Sequence, residues 1–293
     1  MGFLKNNIDL PNHLVWLGNI VTKNKKFWIK LGNIETKLVS DKLEGISIDK
    51  PVFICGLARS GTTSKLIEIT ANKYFTSHRY EDFPFLFTPF WWNTILKFIP
   101  RKINAAKERS HGDGILVTPQ SPEAFEEMIW MAFFDNLHSS KHCTVLDENT
   151  SNVAFEKFYT DHIKKLILVR GAKRYVAKNN YNITRLAYLK KIFPDAEFII
   201  CRRDKEPHVN SLMRMHSRFC EAAKINPKII DHMSQAGHFE FGPHRIPINT
   251  GNHEKVDQIL SLWEQGKERE GWDMYWEEMN NWIEINLHKI NQL

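Results

Sequence analysis

The clearest pattern along the chain is the apolar run Pro51-Val52-Phe53-Ile54-Cys55-Gly56, then a polar turn, then Leu66, Ile67 and Ile69 within Thr62 to Asn72. A short continuous apolar run ending in glycine predicts a strand buried on both faces, and the stretch after it predicts a helix. Two later runs repeat the strand signature: Arg174-Tyr175-Val176-Ala177-Lys178 and Glu197-Phe198-Ile199-Ile200-Cys201. Between them Ile183, Leu186, Ala187 and Leu189 fall at mostly helical spacing, and Pro194 ends that pattern. Ser121-Pro122-Glu123 reads as a helix start, with Ser at the N-cap, Pro at the first helical position and an acid in the first turn. That helix is expected to run through Met128, Ile129 and Phe133. Ser151 to Gly171 predicts another helix, stopped by Gly171, and Pro207 to Phe219 a further one. Near the C-terminus, Val256, Ile259, Leu260 and Trp263 line one helix face. Trp272, Trp276, Met279 and Ile283 line a second, a stripe that reads as core packing.

Strands alternating with helices predict an α/β fold, a parallel sheet flanked by helices with right-handed crossovers, followed by two C-terminal helices. No repeat and no Gly/Ser- or Pro-rich linker divides the chain. Residues 1–49 are rich in Lys and Asn with scattered apolar positions. They read as a partly helical N-terminal extension ahead of one domain at 50–293.

Composition narrows the class. With 293 residues, 42% apolar and 25% charged, the chain is an ordinary globular one, not disordered, collagen-like or disulfide-stapled. The net charge of +6 suits an anionic ligand, and no long basic run or nucleic-acid signature is present, so no nucleic-acid partner is expected. Cys55, Cys143, Cys201 and Cys220 form no C-x-x-C pair; Cys55 and Cys201 sit in apolar runs and predict buried thiols in a reducing compartment. Met1 to Asn7 leads into no apolar signal segment, so a cytoplasmic location is expected. Phe83 to Pro100 is aromatic and apolar, but Pro84, Pro89, Asn93 and Lys97 interrupt it. It is too short and broken to span a bilayer and offers at most a peripheral membrane contact.

The candidate chemistry begins where the first strand ends, in Gly56-Leu57-Ala58-Arg59-Ser60-Gly61-Thr62-Thr63. This is nearly the phosphate loop G-x-x-x-x-G-K-[ST], in which backbone amides and a helix N-terminus cradle an anion. Thr62 stands where a nucleoside triphosphatase needs Lys, and the cation appears earlier in the loop as Arg59. Such a loop suits a terminal anionic group held by Arg and Thr hydroxyls better than a magnesium-bound triphosphate.

Pro51 to Thr63 resembles the 5′-phosphosulfate loop of sulfotransferases that use 3′-phosphoadenosine 5′-phosphosulfate (PAPS). The Arg form is similar to the branch of bacterial carbohydrate-type and tyrosylprotein enzymes. A second block, Phe193 to Asp204 with its Arg202-Arg203-Asp204 end, resembles the family's strand leading to Arg-Asp, and Ser211 follows at the spacing of the 3′-phosphate site. A fixed Arg fork with a hydroxyl suits a dianionic phosphate. The likeness covers roughly residues 51 to 245. It departs at Lys205, where members often have Pro, and at Lys178-Asn179-Asn180, where many have Lys-x-Pro.

The resemblance implies a P-loop-like sulfotransferase fold, PAPS as donor, and a cofactor site of Arg59, Ser60, Gly61, Thr62, Thr63, Arg203 and Ser211, with Arg245 completing it. It further implies catalysis by Arg59 at the leaving-group oxygen, Lys178 at the sulfuryl group and an acid shortly after the first helix as base: Glu81 first, then Asp82, with His78 third. Glu126 and Glu127 resemble another block of bacterial members, and at most one of these adjacent acids is expected to reach the cleft. No metal is required, and the spacings of His138, His142 and Cys143, or of His238 and His244, match no standard ligand pattern. The acceptor is expected to be a hydroxyl of a saccharide or glycolipid, with rings of the Phe83 to Pro100 stretch, such as Trp91 and Trp92, lining its cleft. The alternatives are a P-loop kinase-like phosphotransferase, which lacks its loop Lys here, and a nucleic-acid binder.

Overall fold

The computed structural model describes residues 12–99, 106–109 and 111–290. Met1 to Asn7, which bear on the absence of a signal segment, and Pro100 lie outside the described residues. In chain order the elements are α1 (Asn12–Lys23), α2 (Lys25–Leu38), α3 (Ser40–Leu43), β1 (Val52–Cys55), α4 (Thr62–Thr70), β2 (Phe75–Thr76), α5 (Pro89–Leu96), β3 (Lys107–Glu108), β4 (Leu116–Val117) and α6 (Glu126–Phe133). There follow α7 (Val153–Arg170), β5 (Arg174–Lys178), α8 (Leu186–Ile192), β6 (Glu197–Ile200), α9 (Lys205–Ile225), α10 (Lys228–Ala236), α11 (His253–Glu264) and α12 (Glu268–Ile290). Short 3₁₀ turns cover Tyr80–Asp82 and Asn180–Thr184.

The predicted parallel sheet is present, in the order β2-β5-β1-β6. All three pairings are parallel. Such a sheet needs both faces covered, and β1 is buried throughout. Val52 and Ile54 pack with Leu66 of α4, while Phe53 turns the other way onto Phe193 and Phe198. The register pairs Ile54 with Lys178 on one side and Cys55 with Ile200 on the other. The carboxyl ends of β1, β5 and β6 therefore finish side by side, where open α/β sheets hold ligands.

The helix expected from Ser121 starts later, at Glu126. Ser121 Oγ accepts from the Thr118 amide, Pro122 bridges Arg79, and the Glu123 amide donates to the His78 carbonyl. Tertiary pairing takes the residues that a local reading gave to a cap. The Ser151–Gly171 segment is helical over Val153–Arg170, with Asn152 as the cap and Gly171 in the left-handed conformation. The helix after the third strand is longer than expected, Lys205–Ile225, because its apolar face continues through Ala222 and Ala223 into the core. Cys55 is buried as expected, whereas Cys201, at the end of its strand, is partly exposed.

Residues 12–43 are packed against the rest of the chain. Gly32 of α2 lies so close to α7 and the Phe87 carbonyl that a Cβ there would stand 2.5 Å from that oxygen. The approach lets Glu35 meet Lys165 in a wholly buried ion pair of 2.8 Å. Burial pushes the Glu35 carboxyl up and the Lys165 amine down, each partly offset by its partner. α1 reaches α10, where Gln235 donates to the Val15 carbonyl.

Candidate active site

The loop after β1 is shaped by three positive φ angles: Gly56 at 145°, Arg59 at 72° and Gly61 at 97°. Gly61 takes the left-handed cap position of α4 without cost, whereas the same region costs about 1–3 kcal/mol at Arg59, a strain that functional loops commonly hold. The first helical bond runs from the Lys65 amide to the Gly61 carbonyl, so the amides of Thr62, Thr63 and Ser64 have no acceptor within the helix. The Ser60 hydroxyl is buried without a partner. These groups and the helix dipole make a cradle for a terminal anion.

His208 of α9 braces this loop from behind. Its Nε2 donates to the Ala58 carbonyl at 2.8 Å, and its Nδ1 accepts from Trp276 Nε1 at 3.0 Å. The two bonds fix the neutral tautomer, and burial holds the imidazole below its ordinary pKa.

The loop opens into a pocket of about 380 Å³. Arg59, Arg109, Lys178 and Arg203 bring positive charge to it, and Asp113, Glu123 and Glu240 bring negative charge. Arg59 Nη1 pairs with Asp113 at 2.7 Å, and its Nε donates to Ser211 Oγ at 3.3 Å. Arg109 grips the same Asp113 at 2.6 Å and donates to Thr63 Oγ1. Burial works to raise the Asp113 carboxyl, but the two guanidiniums outweigh it and hold it well below the carboxylate range. Lys178, at the end of β5, is pushed down by burial, against the pull of Glu123 and Glu240. Burial likewise works to raise Glu123, but Lys178 and the Tyr80 hydroxyl outweigh it and keep the carboxyl ionised below its ordinary value. Glu240 accepts from Asn180 at 2.7 Å.

Two further chambers adjoin. One, of about 700 Å³, shares Arg59 and Asp113 and is lined by Ser211, Asn210 and Arg214. The other, of about 270 Å³, shares Glu123, Arg109 and His238 and is otherwise largely apolar.

The structure brings most of the sequence-predicted site together: Arg59, Ser60, Gly61, Thr62, Thr63, Lys178 and Arg203 line the main pocket, and Ser211 the larger chamber. Arg245 is placed elsewhere. It pairs with Glu268 through two 2.6 Å bonds and lies 4.0 Å from the Trp263 ring, within the C-terminal helices. Glu81 also lies outside the pockets, near Arg79 and Arg170 at 3.6 Å each. Asp82 is buried against Arg170 at 2.6 Å, and His78 is buried with its Nε2 3.1 Å from that of His162. Of the three carboxylates that line the phosphate-loop pocket, Glu123 is the one that also lines the apolar chamber. Glu126 and Glu127 are both buried in the interior: Glu126 accepts from Tyr159 and Tyr175, and Glu127 from Arg185 and Asn179. Trp91 and Trp92 line none of these chambers; the Trp91 amide donates to Glu35 and Trp92 Nε1 to the Glu81 carbonyl. From that aromatic stretch Phe83 reaches the apolar chamber instead.

Sequence reasoning missed Arg109 and Asp113 as pocket residues, along with Glu240 and Glu123, the last read only as a first-turn helix acid. The only signal for the first two was a Gly-containing polar run, Arg109 to Asp113, carrying both charge signs.

The sequence profile of the sulfotransferase family matches residues 51–246. The chain belongs to the sulfotransferase family. Two solved structures resemble this sulfotransferase. One is sulfotransferase STF1 from Mycobacterium tuberculosis H37Rv, at 15% identity, covering 85% of this chain and 75% of that one, with a TM-score of 0.41. The other is sulfotransferase STF9 from Mycobacterium avium, at 12% identity, covering 85% and 72%, with a TM-score of 0.37. No curated protein matches the chain. Among the described residues of this sulfotransferase no helix is long and apolar enough to cross a membrane.

Proposed function

We propose that this sulfotransferase moves a sulfuryl group from PAPS to an acceptor hydroxyl, with Glu123 as the base. The observation that carries the reading is the position of Glu123, which faces both the cationic phosphate-loop pocket and the apolar chamber beside it. A donor anion and an acceptor hydroxyl brought in from those two sides would meet at that carboxylate.

The residues fit the donor. The loop amides and the unpartnered Ser60 hydroxyl suit a terminal anionic group. Arg203 of the main pocket, with Ser211 and Arg214 of the larger chamber, suits a 3′-phosphate, and the larger chamber has room for a nucleoside. When bound, PAPS supplies an activated sulfuryl group. Glu123, kept ionised by Lys178 and Tyr80, accepts the proton of the acceptor hydroxyl. Lys178 and Arg59 hold positive charge at the mouth of the loop, where negative charge grows on the leaving side. Arg59 is oriented for this by Asp113 and Ser211.

Calorimetric titration with 3′-phosphoadenosine 5′-phosphate, with and without magnesium and beside ATP, tests the donor. The expected result is magnesium-independent binding that is lost in Arg59→Ala and Arg203→Ala. A preference for magnesium-ATP would instead favour a phosphotransferase.

A further inference from the structure

The chamber beside Glu123 is built unlike the donor pocket. Its walls are Phe83, Phe125, Phe219, Ile229 and Met233, and Leu14 of α1 closes one side. The rings are set against one another: Phe83 and Phe125 have centroids 5.5 Å apart, and His232 meets Phe83 edge-on at 5.3 Å. His232 adds no charge at neutral pH, because burial pulls its imidazole down to about 4. Glu123, Arg109, His111 and His238 stand where the chamber opens to the donor pocket, and Tyr80, Glu108 and His232 are the polar residues elsewhere in its lining.

We propose that the acceptor is a single-ring phenol with a short apolar substituent, its hydroxyl on Glu123 and its body among Phe83, Phe125 and Met233. This rests on the donor reading above. Volume sets the size. A cavity of about 150 Å³ lined by apolar side chains takes up benzene. The 270 Å³ here accommodates a ring with a few added carbons. Lining chemistry sets the class. Aromatic walls favour offset or edge-on contact with another ring. A free saccharide would strand several hydroxyls against Phe and Met, each weakening binding by about five- to hundredfold. A phenol presents one polar group, at the end where Glu123 meets the donor pocket.

The test is calorimetric titration of the intact protein with 4-propylphenol and, separately, with methyl glucoside, in the presence and absence of 3′-phosphoadenosine 5′-phosphate. Saturable binding of 4-propylphenol with no heat from methyl glucoside is expected. Val117→Trp, which fills the chamber from the partly exposed β4, should weaken phenol binding by about tenfold or more and leave nucleotide affinity within about twofold. Phe125→Leu, which enlarges the chamber, should shift preference toward 4-hexylphenol, so the inference does not depend on one variant folding. Nucleotide binding without phenol binding, or phenol binding indifferent to both variants, overturns the inference and leaves the donor reading intact. Phenol binding that obeys both variants without nucleotide binding upholds the assigned chamber and removes the donor reading instead.

Discussion

Asp113 holds Arg59 at 2.7 Å and Arg109 at 2.6 Å, so one carboxylate fixes two guanidiniums at the rim of the phosphate loop. It orients both side chains and also sets a negative charge beside a site shaped for anions. Asp113→Asn should therefore tighten 3′-phosphoadenosine 5′-phosphate binding by about tenfold while lowering kcat, because Arg59 loses its fixed geometry. Titration calorimetry and initial rates separate the two effects. Weaker nucleotide binding would mean that orientation by Asp113 outweighs its repulsion.

Glu123 and Glu81 can be told apart by kinetics. Glu123→Gln should cost about 10²- to 10⁴-fold in kcat, the range for a lost general base. Glu81→Gln, outside the pocket, should cost less than about fivefold. The reverse ordering would return the role to the Tyr80–Asp82 turn.

The pH profile follows from the two shifted groups. Glu123 sits below the ordinary value of 4.5, so the active ionised form persists on acidification until the pH falls through that lowered value. Lys178 sits below 10.5, so its positive charge is lost at lower pH than that of an ordinary lysine. A plot of kcat/KM should be level through neutrality and drop on the alkaline side, and Lys178→Arg should move that alkaline limb upward. A limb unchanged in Lys178→Arg would assign it to another group.

A stability prediction concerns Glu127 and Arg185, paired through two bonds of 2.7 and 2.8 Å in the interior. Glu127→Ala leaves a buried guanidinium without its partner and should destabilise the fold by about 3–5 kcal/mol. Burial works to raise the Glu127 carboxyl, but Arg185 and His138 hold it well below its ordinary value. Its contribution is therefore complete above the unfolded value near 4.5 and is lost as the pH falls through the lowered folded value. Chemical denaturation at neutral pH and in acid measures both. A Glu127→Ala loss that does not shrink in acid would assign the effect to packing.

Local signals made the strands and the phosphate loop readable in the sequence. Val52–Cys55 is a continuous apolar run, Tyr175-Val176-Ala177 is a shorter one between Arg174 and Lys178, and Gly56 to Thr63 packs its cradle chemistry into consecutive residues. What failed was whatever depends on distant partners. Ser121-Pro122-Glu123 has the makings of a helix cap, yet pairing with His78 and Arg79 takes its backbone and turns Glu123 to the pocket. The resemblance gives Arg245 to the cofactor site, yet Glu268 and Trp263 capture it. Of the adjacent acids Glu126 and Glu127 at most one is expected to reach the cleft, yet tyrosine hydroxyls and Arg185 satisfy both inside. No spacing along the chain encodes those meetings.

The phosphate loop is written near residue 60 but is completed by both flanks of the chain. Trp276, reaching Ala58 through His208, belongs to the last helix, and Leu14 of the first helix closes the apolar chamber. On a ribosome adding about 5–20 residues per second, the sheet can assemble well before Trp276 emerges. The nascent chain then carries a formed loop without its brace, and competence to bind arrives only once the helix that bears Trp276 has docked.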